Sequence, residues 1–337
     1  MYKRLLVPVT IASLLAPAAA MAEGISVYGS VRTQLEYVDP DNLAGQYDEY
    51  FGLRDAYSRV GVKFDHAIND DWSFLAKLEL PVDTANVAIQ DPYGHGTHER
   101  VYSLSVSSPY GTVWVGQDWM PFYNAITYPI DYFSSYYSGF ATFTGFRMSD
   151  TLGYYSPKFN GFSFAGAHSK HNGYGGSDDR TQFTVSWAGD NGFGINGGVD
   201  NARGATDAKI YGLSATYTTG NWYLAAKHEW FDSNQTAAGF GQDDSNATNF
   251  LVQYTMGKNT FRGMVAQSDF FGESVLHVGW DHQYTDNLKV FAEAYYEEET
   301  AAISDARGTA QGGHVDSSPA NSGGTAIMTG VRYDFSL

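Results

Sequence analysis

The sequence predicts an all-β protein, a 16-stranded antiparallel transmembrane β-barrel with one long aromatic loop folded into its lumen. Apolar and polar residues alternate with a period of two along most of the chain, the pattern of strands whose two faces meet different surroundings. Short turns alternate with long connections, as they do when strands shuttle across a bilayer. The chain carries 25 Tyr, 21 Phe, 7 Trp and 37 Gly but no Cys. Beyond the N-terminal segment it has no apolar run long enough for a helical span.

Met1–Ala22 reads as a secretory signal: Lys3 and Arg4 are followed by an apolar run from Leu5 and by Ala20-Met21-Ala22, a small-residue cleavage pattern. Residues 23–337 are then the barrel. The formal net charge of −17 becomes more acidic once Lys3 and Arg4 leave. Such a balance argues against nucleic acid as a partner, because phosphate binding needs a basic footprint. Without cysteine, disulfides and thiolate metal sites are excluded.

Along the first strand, Ile25, Val27, Val31, Leu35 and Tyr37 share one face, and Ser26, Ser30, Arg32, Gln34 and Glu36 the other. The segment Ser58–Leu80 repeats this as a hairpin, with Val60, Val62, Phe64, Leu78 and Leu80 opposing Arg59, Lys63, Asp65, Lys77 and Glu79. Later segments agree: Leu288, Val290, Ala292 and Ala294 oppose Lys289, Glu293 and Glu297. Tight turns at Asn69-Asp70-Asp71, Thr219-Gly220-Asn221 and Thr285-Asp286-Asn287 contrast with long polar connections such as Asp39–Arg54, Val82–Thr97 and Thr300–Gly324. Counting both kinds gives about sixteen strands, and Tyr and Trp gather where strands meet turns, as interfacial girdles require.

The stretch from Gly111 to Gly161 organises the rest. A strand feeds a loop of about thirty residues, 118–148, with ten aromatic side chains between Phe122 and Phe146. Loops beyond roughly 12–15 residues are uncommon unless functional or disordered, and this one is too aromatic to stay unfolded. The entering strand is apolar on both faces, Val113 and Val115 against Trp114. A lipid-facing strand would show a polar lumen face unless something covers it, and the loop is that cover.

The motifs Ser58-Arg59-Val60-Gly61-Val62-Lys63, Ala76-Lys77-Leu78-Glu79-Leu80, Gly111-Thr112-Val113-Trp114-Val115-Gly116 and Leu152–Phe164 together resemble a trimeric Gram-negative porin. The resemblance implies sixteen strands, periplasmic termini, homotrimers in the bacterial outer membrane in contact with lipid and lipopolysaccharide, and a third extracellular loop that narrows the pore. It implies a water-filled channel for passive diffusion of ions and small hydrophilic solutes, with no cofactor and no catalysis. In similar porins a basic wall faces acidic groups on that loop. Arg59 matches the arginine of an Arg-x-Gly motif and Arg147 the arginine after the loop, while Arg32 lies two residues beyond the usual lysine position, here Ser30. The family's Gly-Arg is Gly116-Gln117 here, and its Pro-Glu-Phe-Gly-Gly-Asp loop motif is absent. Asp131 is left as the carboxylate well inside the loop, with Asp118 and Asp150 at its edges.

The expected constriction is therefore Arg32, Arg59, Gln117, Asp118, Asp131 and Arg147, with Tyr128, Tyr132, Phe133, Tyr136 and Tyr137 as loop aromatics at the pore, and a weak cation preference is expected. Two alternatives stay open: a channel specific for a sugar or aromatic acid that uses those rings, and a barrel hydrolase whose catalytic set is assembled from separate strands. His95 and His98 with Asp91 and Glu99 have metal-ligand chemistry, but HGTHE reads first as a hydrated loop, and no metal is expected.

Overall fold

The computed structural model describes residues 24–41, 49–91, 99–138, 140–170, 179–203, 207–233, 243–269, 274–299, 303 and 322–337. The signal segment Met1–Ala22, His95 and His98 lie outside the described residues. Among those described, seventeen strands, from β1 (Ile25–Pro40) to β17 (Ser322–Ser336), form one antiparallel sheet. Its ends pair from Tyr28↔Ser336 to Pro40↔Gly324, which closes the sheet into a barrel.

Two of the strands share one position around the barrel. β2 (Tyr50–Asp55) pairs with the C-terminal half of β1, and β3 (Arg59–Ala67) with its N-terminal half. The barrel thus has the sixteen staves that the alternation predicts. Between the halves Tyr57 takes φ 65°. There Ser58 Oγ accepts from the Arg32 N–H at 2.7 Å and donates to the Arg32 carbonyl at 3.0 Å. The hydroxyl thus gives the Arg32 N–H an acceptor at the gap, and the Arg32 carbonyl also accepts from the Ala56 N–H at 3.0 Å. The sequence predicts a connection over Asp39–Arg54; the structure shortens it, because Phe51 and Leu53 supply an outward apolar face and pair as a strand.

The residue distribution is inverted relative to a water-soluble domain. Val31, Leu35, Leu78, Leu224, Leu276 and Val331 on the outer surface are 40–48% exposed, while Gln34, Glu36, Asn249 and Glu293 are buried inside. Such an outer surface is stable against lipid, where closed strand pairing also satisfies every backbone group. Among the described residues no helix is long and apolar enough to cross a membrane; the crossing is made by strands.

The core lies within the lumen. Phe122, Ile126, Tyr136, Tyr137 and Phe143 of the loop pack against Ile210, Phe231, Phe291 and Tyr295 of the wall. Trp114, on β6 (Gly111–Trp119), points inward, is 3% exposed and sits among Met120, Met148 and Ala167. Met120, at the start of the loop, supplies part of the expected cover, and the wall residues Met148 and Ala167 complete it. The cross-strand partner of Trp114 is Gly153 on β7 (Arg147–Tyr155), where any Cβ would run into the indole ring.

Placing Arg at Val278, midway along β15 (Ser274–Gln283) and 44% exposed on the outer face, should cost roughly 2–4 kcal/mol in urea refolding with lipid vesicles. Arg at Val290, close to the turn that opens β16 (Leu288–Glu299), should cost less, about 0–1 kcal/mol. Equal losses at the two depths would contradict the bilayer placement.

Candidate functional site

The inward loop is built from polar wall residues that hold a nearly uncharged segment. After Met120 the chain makes a short helical turn, Tyr123–Thr127, then a 3₁₀ turn, Tyr128–Ile130, with Pro129 fixing its entry. From Asp131 onward it runs irregularly, and its N–H groups need partners. Gln182 on β9 (Arg180–Ala188) accepts from Phe122 N–H at 2.9 Å. Glu293 accepts from the N–H groups of Ser134 at 2.8 Å and Ser135 at 3.2 Å, and Gln34 accepts from Tyr136 N–H at 2.8 Å.

The far limb is held in the same way. Glu229 on β12 (Trp222–Ser233) accepts from the Thr142 hydroxyl at 2.7 Å and the Phe143 N–H at 2.8 Å, and Lys227 donates to the Ala141 carbonyl at 2.6 Å. Asp200 on β10 (Phe193–Ala202) accepts from Thr144 Oγ1 at 2.7 Å and forms a fully buried pair with Arg180. Charge-assisted bonds of this kind contribute about 1.5–3 kcal/mol each, and here they reach from wall positions spread around the barrel. Wall glycines make room for the rings: a Cβ at Gly212 would meet Phe122 at 2.5 Å, and one at Gly279 would meet Phe133 at 3.1 Å.

Beside the packed limb a cavity of about 770 Å³ remains, lined by wall and loop together. Of the residues expected from the sequence, Arg32, Arg59, Gln117, Asp131, Arg147, Tyr128, Tyr132 and Phe133 line it. Asp131 accepts from the Tyr123 hydroxyl at 2.6 Å and lies within electrostatic reach of Arg32, Arg59 and Arg332. Burial pushes its carboxyl above the usual range, against the pull of the Tyr123 hydrogen bond and those arginines. Burial and the Asp131 charge push the Tyr123 phenol well above its ordinary value.

Three expected residues lie elsewhere. Asp118 follows a register shift between Gly116 and Asp118 and is buried against the wall, ion-paired with Lys77 and accepting from Ser103 Oγ at 2.7 Å. Tyr136 stacks on Tyr57 at 5.4 Å beneath the Arg54 guanidinium, and Tyr137 stacks on Tyr295 at 5.0 Å. Those two rings seat the loop and do not line the cavity. Gln117 reaches the cavity, yet its amide donates to the carbonyls of Glu99 and Arg100. It ties down the chain that carries Arg100.

Four cations of the lining escaped the sequence reading as site residues: Arg100, Arg262, Lys289 and Arg332. Strand parity puts Lys289 and Arg332 on the lumen face, but only the register shows that they meet. Lys289 lies directly opposite Arg332, and Arg332 directly opposite Arg32, so three cations form one row across β16, β17 and β1. Like charges directly opposite destabilise a sheet, and carboxylates relieve part of this. Asp281 accepts from Arg262 at 2.7 Å and Lys289 at 2.8 Å, Asp334 from Arg332 at 2.7 Å, and Glu79 from Arg100 at 2.8 Å. Among the described residues neither Arg32 nor Arg147 has a carboxylate at ion-pair distance; Arg147 lies over the Trp119 ring at 4.6 Å. No group of three or more metal-ligating side chains forms among the described residues.

The model of the Gram-negative porin family matches residues 9–302. The chain belongs to the Gram-negative porin family. No curated protein sequence matches this porin, but solved structures share its fold. An anion-selective porin from Comamonas acidovorans superposes with a TM-score of 0.72 at 16% identity, over 92% of this chain and 99% of the other. OmpF of Salmonella typhi, solved with daunomycin, gives 0.68 at 17% identity over 92% and 97%. OmpT of Vibrio cholerae, with loop L8 deleted, gives 0.63 at 14% over 92% and 99%. At these identities the likeness establishes the fold. Family and fold together make the protein a channel of the bacterial outer membrane.

Replacing Glu293 with Ala removes the acceptor for two loop N–H groups and the partner of His277, 3.0 Å away. We expect single-channel conductance to rise and become noisy as that limb of the loop loosens, and thermal stability to fall. Unchanged conductance would mean that the loop does not set the waist.

Proposed function

We infer that this porin passes ions and small hydrophilic solutes by passive diffusion, that its waist favours anions, and that it works as a homotrimer after export and removal of Met1–Ala22. The charge preference rests on the lining: seven basic side chains, Arg32, Arg59, Arg100, Arg147, Arg262, Lys289 and Arg332, against three carboxylates, Asp91, Glu99 and Asp131. Counting also Glu79, Asp281 and Asp334, which pair with the wall cations, the balance stays positive.

A charge in a narrow, low-dielectric waist acts strongly on a passing ion, whereas one in an outer loop is screened within roughly 8–10 Å. The local excess therefore outweighs the net −17 of the chain. This reverses the weak cation preference expected from the sequence, which weighed three of the seven cations. The fold relative from Comamonas acidovorans is described as anion-selective, in accord with the same sign here. Trimer formation rests on the family, together with an outer wall that presents large apolar side chains such as Phe51, 70% exposed.

In a KCl gradient the reversal potential should lie on the anion side. Arg32→Gln and Arg332→Gln should each move it towards cations, by more than neutralising Asp243 and Asp244 moves it towards anions. Cation selectivity of the unaltered protein would overturn the reading. Assembly is checked separately: unheated samples should migrate as trimers in detergent gels and heated ones as monomers, and failure of cross-linking to capture a trimer would remove that part.

A further inference from the structure

We propose that the waist is a binding slot for aromatic carboxylates, small planar anions of the benzoate type. The inference rests on the cavity being the conduction path, as in the reading above. It comes from how two chemistries are divided between loop and wall. The loop from Met120 to Phe146 contains no Lys or Arg, and it gives the cavity Tyr128, Tyr132, Phe140 and Phe146, with Asp131 as its one carboxylate there. The wall gives it the row Lys289, Arg332 and Arg32. A solute in the cavity meets a ring surface from the loop and guanidinium and ammonium groups from the wall.

The loop aromatics fall into two populations. Phe122, Tyr136, Tyr137 and Phe143 are buried to 0–2% exposure in the packed limb, whereas Tyr128 is 53% exposed. The loop can bury its rings, yet it leaves Tyr128 half exposed at the cavity, while Tyr132 and Phe140 both line the cavity and pack against the cluster around Ile130 and Phe133. They are also fixed in place: Tyr128 and Tyr132 lie 6.1 Å apart and Phe140 and Phe146 5.9 Å apart, in tilted contacts. Rings held in this way lose little freedom when a ligand ring packs on them. Offset and edge-to-face packing then adds to what charge alone supplies.

On the wall, Arg32 has no carboxylate at ion-pair distance among the described residues, and a planar carboxylate matches its two-pronged geometry. A neutral sugar could stack on the rings but would leave Arg32 without a counter-charge. An inorganic anion would satisfy the cations and ignore the rings. The cavity, about 770 Å³, falls in the range that holds small organic ligands.

The test uses the full-length purified porin in planar bilayers, with KCl conductance measured first. Benzoate and cyclohexanecarboxylate, equal in charge and near in size, are then titrated against the KCl current. Benzoate should reduce the current saturably, with an apparent Kd about three- to tenfold lower than that of cyclohexanecarboxylate. Tyr128→Leu and Phe146→Leu should bring that ratio towards one, and Arg32→Gln should weaken both ligands alike; trimer migration in unheated gels checks that each variant is assembled. If the two acids act equally on the unaltered protein, or neither saturates, the aromatic slot is refuted while the porin reading stands. An absence of KCl conductance would instead remove the reading beneath it, and the slot with it.

Discussion

Glu229 accepts three hydrogen bonds from the inward loop and Glu293 two, and most of the lumen's geometry follows from where those bonds put it. A sixteen-stranded barrel without them would enclose a wide hole. A loop has no ladder of its own in which to spend its N–H groups, so inside the lumen it needs acceptors that a strand can present on one face only. The wall supplies them as carboxylates and amides at alternating positions, Gln34, Gln182, Asp200, Glu229 and Glu293. The period-two pattern therefore does two jobs. Its apolar phase faces lipid, and its polar phase is divided between gripping the loop and lining the water.

That division explains what the sequence could and could not say. Alternation, the girdle aromatics and the rhythm of short and long connections are local properties, so strand number and lumen parity were legible. The covered face of Trp114 was legible too, because an inward indole demands a lid. Asp118 was not, since a register shift just before it turns a loop-edge carboxylate into the partner of Lys77. Tyr136 and Tyr137 look like Tyr128 in sequence; only the third dimension separates rings that pack from rings that face the cavity. Arg332 and Lys289 were visible as lumen residues but not as neighbours of Arg32, because that adjacency joins segments nearly three hundred positions apart.

The loop also accounts for the contrast between the two charges of the molecule. The chain as a whole is acidic, and much of the acid in the barrel interior is committed: to loop N–H groups, to Lys227 and Arg180, or to the wall cations. What remains at the opening is a basic excess. Net charge is thus a poor guide to the field that a solute meets, since buried carboxylates with partners are electrically quiet at the place where ions pass.

The row Lys289, Arg332 and Arg32 straddles the seam where the last strand meets the first. A barrel inserting into a membrane brings these ends together across the longest sequence separation it has, and long-range pairing is the slow part of β assembly. Before closure Arg32 and Arg332 sit on separate open edges, and the row does not exist. Zipping β1 to β17 must then press like charges together midway along the seam, with Asp334 and Asp281 easing the approach. The row is therefore completed only by the β1–β17 pairing that also closes the barrel, so sealing the wall and assembling this part of the waist are one structural event.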